Sequence, residues 1–182
     1  MKQVFIIHGW GGNPQGNWFP WLQTELEKRG VQVVVPAMPN PSHPQMDEWL
    51  GFLDKVVGKV DENTFFVGHS LGCITILRYL ERLKDGRIGG TVLVAGFSES
   101  IGIPELDSFF ETPVDYETVK ERCDTFIAIN SDNDSFVPLD KAQILKDKLN
   151  AHLTIIHQGG HLNKDAGYVE FPLVVEEIVK MI

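Results

Sequence analysis

Gly68-His69-Ser70-Leu71-Gly72 is the segment of the chain best suited to covalent chemistry. It reads Gly-x-Ser-x-Gly and lies between a β-like apolar run, Thr64–Val67, and a long apolar helical pattern, Leu71–Leu83. In a strand–turn–helix setting this spacing makes a nucleophile elbow. The serine takes a strained backbone conformation there, and glycines two residues to either side avoid collisions with it and with neighbouring strands. The turn lifts the Ser70 hydroxyl above the sheet, and the start of the next helix directs backbone N–H groups at developing negative charge. Cys73, the nearest rival nucleophile, sits three residues into the helix among Leu71, Ile74 and Ile76 and reads as a packed, inert thiol.

A serine hydroxyl needs a base, and the base needs an orienting acid. With such an elbow the chain order is Ser, then Asp or Glu, then His. Asn130-Ser131-Asp132-Asn133-Asp134-Ser135-Phe136-Val137-Pro138 follows the run Thr125–Ile129 and offers two carboxylates. Asp134 is preferred as the acid because the D-x-x-V-P turn after it holds the carboxylate ahead of the next helix. Asp132, nearer the strand, competes for the role or caps the turn. Gln158-Gly159-Gly160-His161 follows the last strand, and its paired glycines let the loop carry the His161 imidazole to Ser70. Among the other histidines, His152 and His157 fall at or within the last strand, His43 lies in a proline-rich loop, and His69 packs or hydrogen-bonds within the elbow. His8-Gly9-Trp10-Gly11-Gly12, just past the first strand, supplies the remaining part. The backbone N–H groups of Trp10 and Leu71 are the expected oxyanion hole, with His8 bracing the loop.

Competing chemistries fail on the letters. A calcium loop starting at Asp132 needs Gly at its sixth position and Glu at its twelfth, and finds Val137 and Gln143. His157 and His161 have a metal-like spacing only on a helix, which Gly159 and Gly160 disfavour. Gly11 and Gly16 have the separation of a P-loop, but Asn17-Trp18 stands where Lys-Ser/Thr is required. A dinucleotide fingerprint begun at Gly9 meets Pro14 in place of its third glycine. No metal or organic cofactor is expected.

Alternating strands and helices must position these groups. The β-like runs are Val4–Ile7, Val31–Val35, Thr64–Val67, Thr91–Ala95, Thr125–Ile129 and Leu153–Ile156. Helical spacing covers Trp18–Arg29, Asp47–Val57, Leu71–Leu83, Asp140–Leu149 and Tyr168–Met181. Short apolar runs separated by helices predict an α/β fold: a doubly wound, mostly parallel sheet of about six strands with helices on both faces. No repeat, low-complexity tract or linker interrupts residues 1–182, which read as a single domain. Ser98–Arg122 stands apart, carrying Ile101, Ile103, Leu106, Phe109, Phe110 and Tyr116, with Pro104 placed to start a short helix. It is either an excursion packed on the sheet edge or, the preferred reading, a small cap over the carboxyl ends of the strands. Trp10, Trp18, Phe97 and Phe109 are candidates for an apolar acyl pocket, the plainer alternative being core.

Composition narrows the setting. The 182 residues carry 16 Lys+Arg against 25 Asp+Glu, a formal charge of −9, and 43% are hydrophobic. Nucleic acid and anionic membrane surfaces are disfavoured, because both need a concentrated basic surface. Two cysteines, Cys73 and Cys123, make no disulfide framework. Val4–Ile7 turns polar at His8, too short a run for a signal-peptide core or membrane span, so the chain is expected to be soluble and cytoplasmic.

The chain resembles the α/β-hydrolases and, more narrowly, the small YdeN-like serine hydrolases, which include the retinoblastoma-binding serine hydrolases of animals. The resemblance runs from Val4-Phe5-Ile6-Ile7-His8-Gly9 through Asn17-Trp18-Phe19-Pro20-Trp21-Leu22 to the terminal helix. Met38-Pro39-Asn40-Pro41 with Asp47-Glu48-Trp49-Leu50 is more distinctive than the elbow. Leu93-Val94-Ala95-Gly96-Phe97 and Gly159-Gly160-His161 also fall where that family has them. It implies Ser70 as nucleophile, Asp134 as acid and His161 as base. One departure is visible: the family often has adjacent acids before the V-P turn, whereas Asn133 separates Asp132 from Asp134 here. The expected activity is hydrolysis of an ester, thioester or amide of a small acyl substrate through an acyl-enzyme, at a rate that falls at low pH as His161 protonates. The alternative is a protein-interaction module on a hydrolase scaffold, with a protein partner left open. A short chain with little to cover the site favours small acyl groups, and its acidity leans against strongly anionic ones.

Overall fold

β-Branched and aromatic runs form six strands in the computed structural model, which describes residues 1–182. They are β1 (Gln3–Ile7), β2 (Gln32–Val34), β3 (Thr64–His69), β4 (Gly90–Val94), β5 (Phe126–Ser131) and β6 (His152–Ile156). All neighbouring pairs are parallel, in the order β2-β1-β3-β4-β5-β6. The helices are α1 (Phe19–Glu27), α2 (Met46–Val57), α3 (Leu71–Arg82), α4 (Tyr116–Glu121), α5 (Leu139–Leu149) and α6 (Pro172–Met181). The expected doubly wound α/β sheet is therefore present, and it is parallel throughout. No helix is long and apolar enough to cross a membrane.

Alternation along the central strands divides the core into two layers. Val4 and Ile6 of β1 pack with Phe65 and Val67 of β3 beneath α1 and α6. Phe5, Ile7 and Phe66 point the other way, into the layer built with α2, α3, α4 and α5. Burial on both faces is why these strands read as continuous apolar runs. Because β1 lies between β2 and β3, the winding reverses there. A crevice opens past the carboxyl ends of β1 and β3, where the His8–Gly12 loop and Ser70 lie.

One helix differs from expectation. The terminal helix starts at Pro172 and not at Tyr168. Proline disfavours helical backbone in the preceding residue, and Phe171 is accordingly held at φ −142° and ψ 77°. Ahead of it, Lys164–Ala166 forms a short 3₁₀ helix that ends at Gly167, φ 93°. As expected, Ser98–Arg122 carries a short helix from Pro104, the 3₁₀ helix Pro104–Phe109, followed by α4. Its anchor is a residue that sequence reasoning passed over. Arg78 lies in the apolar face of α3 with its side chain only 4% exposed. Its guanidinium donates to the carbonyls of Phe109 (3.0 Å), Thr112 and Pro113 (3.4 Å) and pairs with Glu81 at 2.7 Å. Glu81 in turn accepts the Asp115 amide at 2.8 Å. One helix thus holds residues 109–115 of the insertion by their backbone, and the planar five-donor fork of arginine suits that task.

Candidate active site

Ser70 sits between the end of β3 and the first turn of α3 at φ 55° and ψ −119°. Such left-handed backbone is costly for a residue with a Cβ and persists only when the surroundings enforce it. The enforcement is visible: the Ser70 N–H donates to the Val94 carbonyl at 2.9 Å, and the Ser70 carbonyl accepts from the Cys73 N–H at 2.9 Å. Crowding explains the flanking glycines. A Cβ on Gly72 would lie 2.1 Å from the Ile7 carbonyl oxygen, and one on Gly68 would lie 2.8 Å from the Cys73 nitrogen. Cys73 itself is wholly buried, its thiol pKa pushed up by desolvation, in keeping with a packed thiol.

Asp134 and His161 meet across the loops that follow β5 and β6. Asp134 Oδ2 lies 2.7 Å from His161 Nδ1, and their side chains are 1% and 12% exposed. The second carboxylate oxygen accepts the amides of Phe136 (2.8 Å) and Val137 (3.1 Å), which is the physical content of the D-x-x-V-P turn. Burial works against ionisation of Asp134. The His161 bond and the two amides overcome it, holding the carboxyl below its usual range. An ionised carboxylate only accepts, so the proton of neutral His161 resides on Nδ1 and Nε2 keeps its lone pair. Asp132 is spent elsewhere, on His157 Nδ1 (2.6 Å) and the Gln158 amide (2.8 Å).

Asp132 and Asp134 belong to a row. Ser131 Oγ accepts the Gly159 amide at 2.9 Å, and Asn133 Oδ1 accepts the Gly160 amide at 2.8 Å. Four consecutive side chains, Ser131 through Asp134, thereby engage the 157–161 segment. Asn133, which interrupts the pair of acids in the sequence, is one of its fasteners. On the other flank, His69 Nε2–H donates to the His161 carbonyl and Trp18 Nε1–H to the Leu162 carbonyl, both at 2.9 Å. Asn17 Oδ1 accepts the Lys164 amide at 3.1 Å. The 157–162 loop needs this support, since Gln158, Gly160 and Leu162 all have positive φ.

Desolvation, reinforced by the neighbouring His161, pushes the His69 pKa down to about 3 from 6.5. Between those values the unfolded chain binds a proton that the folded chain refuses, so stability falls as the pH falls. For this one group the loss is at most about 1.4 kcal/mol per pH unit. Urea midpoints measured from about pH 7 down to about pH 4 should decline, and less steeply in His69→Gln, which keeps a donor for the His161 carbonyl. Equal slopes in parent and variant would remove His69 from the acid response. His8, also kept neutral chiefly by burial, accepts the Met38 amide at Nε2 (3.1 Å) and donates from Nδ1 to the Gly9 carbonyl (2.9 Å), bracing the loop.

Ser70 and His161 line one cleft of about 440 Å³, although no hydrogen bond joins their side chains. Trp10 borders it, 40% exposed, with its indole N–H fixed to the Ser42 carbonyl at 3.0 Å. The Trp10 amide is used by no turn or loop hydrogen bond, and Leu71 begins α3, where helix amides lack intrahelical acceptors. The expected pocket aromatics are a correction: Trp18, Phe97 and Phe109 are all fully buried and none borders the cleft. Trp18 packs edge-on against Phe19 and Phe171, Phe97 stacks on Phe110, and Phe109 meets the edge of Trp49. The apolar lining comes instead from Ile101, Ile103 and Leu106 of the insertion, from Phe19 at the start of α1 and from Phe136, 53% exposed beside the His161 ring.

A parallel six-stranded sheet wound in this order, with its elbow past β3, is the fold of the α/β-hydrolases. More particularly, the chain belongs to the Serine hydrolase family, whose pattern matches residues 4–180, and it is an enzyme of the hydrolase class. It is 37% identical over 177 residues to YdeN of Bacillus subtilis, covering 96% of this chain and 93% of that one. To the serine hydrolase RBBP9 of Rattus norvegicus it is 29% identical over 164 residues, covering 87% and 86%. The crystal structure of the B. subtilis ydeN product superposes with a TM-score of 0.96 at 36% identity, over 100% of this chain and 98% of the other. Esterase PE8, at 18% identity and a TM-score of 0.68, over 100% of this chain and 93% of that one, shares the fold.

Proposed function

We propose that the protein hydrolyses an ester, thioester or amide of a small acyl group through Ser70, His161 and Asp134. The observation that carries this reading is the part-buried 2.7 Å bond that His161 Nδ1 makes to Asp134 beside a serine held at φ 55°. As Ser70 Oγ bonds to the substrate carbonyl carbon, His161 Nε2 takes the hydroxyl proton and Asp134 stabilises the imidazolium. The amides of Trp10 and Leu71 hold the oxyanion. Collapse breaks the bond to the leaving group, which departs with the proton from His161. Water then attacks the acyl-enzyme, giving its proton to His161. The carboxylic acid is released as Ser70 Oγ regains a proton. Every step uses this chain's own groups. Residues 1–182 act as one domain, with the 98–122 segment capping the cleft through Ile101, Ile103 and Leu106. Among partners, a small acyl substrate is favoured over nucleic acid or membranes by the −9 charge, which suits a cytoplasmic enzyme.

A fluorophosphonate probe should modify the folded protein once, at Ser70, as located by peptide mass spectrometry, and a hydrolysable acyl ester should slow the labelling. Labelling at another residue, or none at all in folded protein, would overturn the assignment.

A further inference from the structure

Three carboxamides and one carboxylate border the cleft without a part in the reaction just described. Each carboxamide spends its oxygen on a backbone amide: Asn13 on Gln15 (2.9 Å), Asn17 on Lys164 (3.1 Å) and Asn163 on Ala166 (3.0 Å). A backbone N–H needs an acceptor, so these bonds fix which side-chain atom is oxygen. They leave three NH₂ groups with no acceptor in the protein. Asp165, exposed beside them, takes part in no ion pair or hydrogen bond. The bond from Lys164 to Asn17 joins the two stretches of chain that carry these groups, so they form one polar wall. The insertion contributes a second wall of wholly different chemistry, Ile101, Ile103 and Leu106.

We propose that the cleft takes short-chain acyl esters of a polyol, with the acyl group on the insertion and the alcohol's hydroxyls on Asn13, Asn17, Asn163 and Asp165. The proposal rests on the hydrolase reading above and names its substrate class. Hydroxyls satisfy this wall because each is both donor and acceptor: it accepts from a carboxamide NH₂ and donates to the Asp165 carboxylate. An anionic leaving group would meet the three donors but would be opposed by Asp165 and the −9 charge. A simple cation would pair with Asp165 and leave the donors unmet. An apolar alcohol would cover all four groups without a partner, the arrangement binding sites penalise most.

The test compares kcat/KM for ethyl butyrate, glyceryl monobutyrate and a monosaccharide monobutyrate, all with one acyl group. Both polyol esters should exceed the ethyl ester by about tenfold or more, the worth of one or two added hydrogen bonds. Asn17→Asp and Asn163→Asp keep the oxygen that accepts the backbone amide and remove the NH₂ donor. Each should lower the polyol-to-ethyl ratio about fivefold. A ratio near one in the parent, or one unmoved by both substitutions, overturns the proposal while probe labelling of Ser70 and ester turnover persist. Loss of all turnover together with absent labelling overturns the Ser70 reading, and this proposal with it.

Discussion

Ser70→Ala should lower kcat for a small acyl ester by a factor on the order of 10⁶, with the fold intact. The size follows from the proposed mechanism. Without Oγ there is no covalent intermediate, and what remains is water attack on a carbonyl polarised by the oxyanion amides. Nucleophile and base act as a unit, so removing either forfeits nearly the whole benefit of both. Alanine also removes only one oxygen from a backbone already fixed by the Val94 carbonyl and the Cys73 amide, so the elbow should persist. Turnover by the purified variant, with circular dichroism as the control for folding, provides the measurement. Parental turnover would show that another group attacks the substrate.

Asp134→Asn should cost about 10⁴ in kcat at neutral pH. The amide is nearly the same size and can still occupy the D-x-x-V-P turn through its oxygen. Its NH₂ then faces His161 Nδ1, moving the imidazole proton to Nε2, where it blocks acceptance of the serine proton. Asp132→Asn should cost less than about tenfold, since that carboxylate touches His157 and the Gln158 amide and only steadies the loop. Rates for the two variants side by side discriminate sharply. Comparable losses would mean that orientation of the whole loop matters more than the charge at Asp134.

The strands, the elbow and the order of the candidate groups were legible because each is written locally. Doubly buried strands leave unbroken apolar runs, and Gly-x-Ser-x-Gly carries its own steric logic at Gly68 and Gly72. The pocket was not legible. Apolar spacing says that Trp18, Phe97 and Phe109 are buried somewhere, and a sheet covered on both faces has core enough to absorb all three. In the sequence, the row from Ser131 to Asp134 shows only two rival acids, because its partners lie across a strand pairing, with Ser131 in register with Ile156. Arg78 was hidden for a similar reason. Its acceptors are carbonyls of a loop 31 to 35 residues away, and no letter in the sequence marks a carbonyl as needing a donor.

The placement of β6 has a consequence for how the molecule fails under stress. This strand is the outermost of the sheet, paired only with β5. The loops following these two strands hold both Asp134 and His161, whereas Ser70 lies two strands further in. Edge strands open at lower free energy than the centre of a sheet. Fraying of that margin would withdraw His161 and Asp134 together while leaving Ser70 and most of the core in place. Heat inactivation should therefore run ahead of global melting, so that catalytic half-life reports the tightness of one sheet margin.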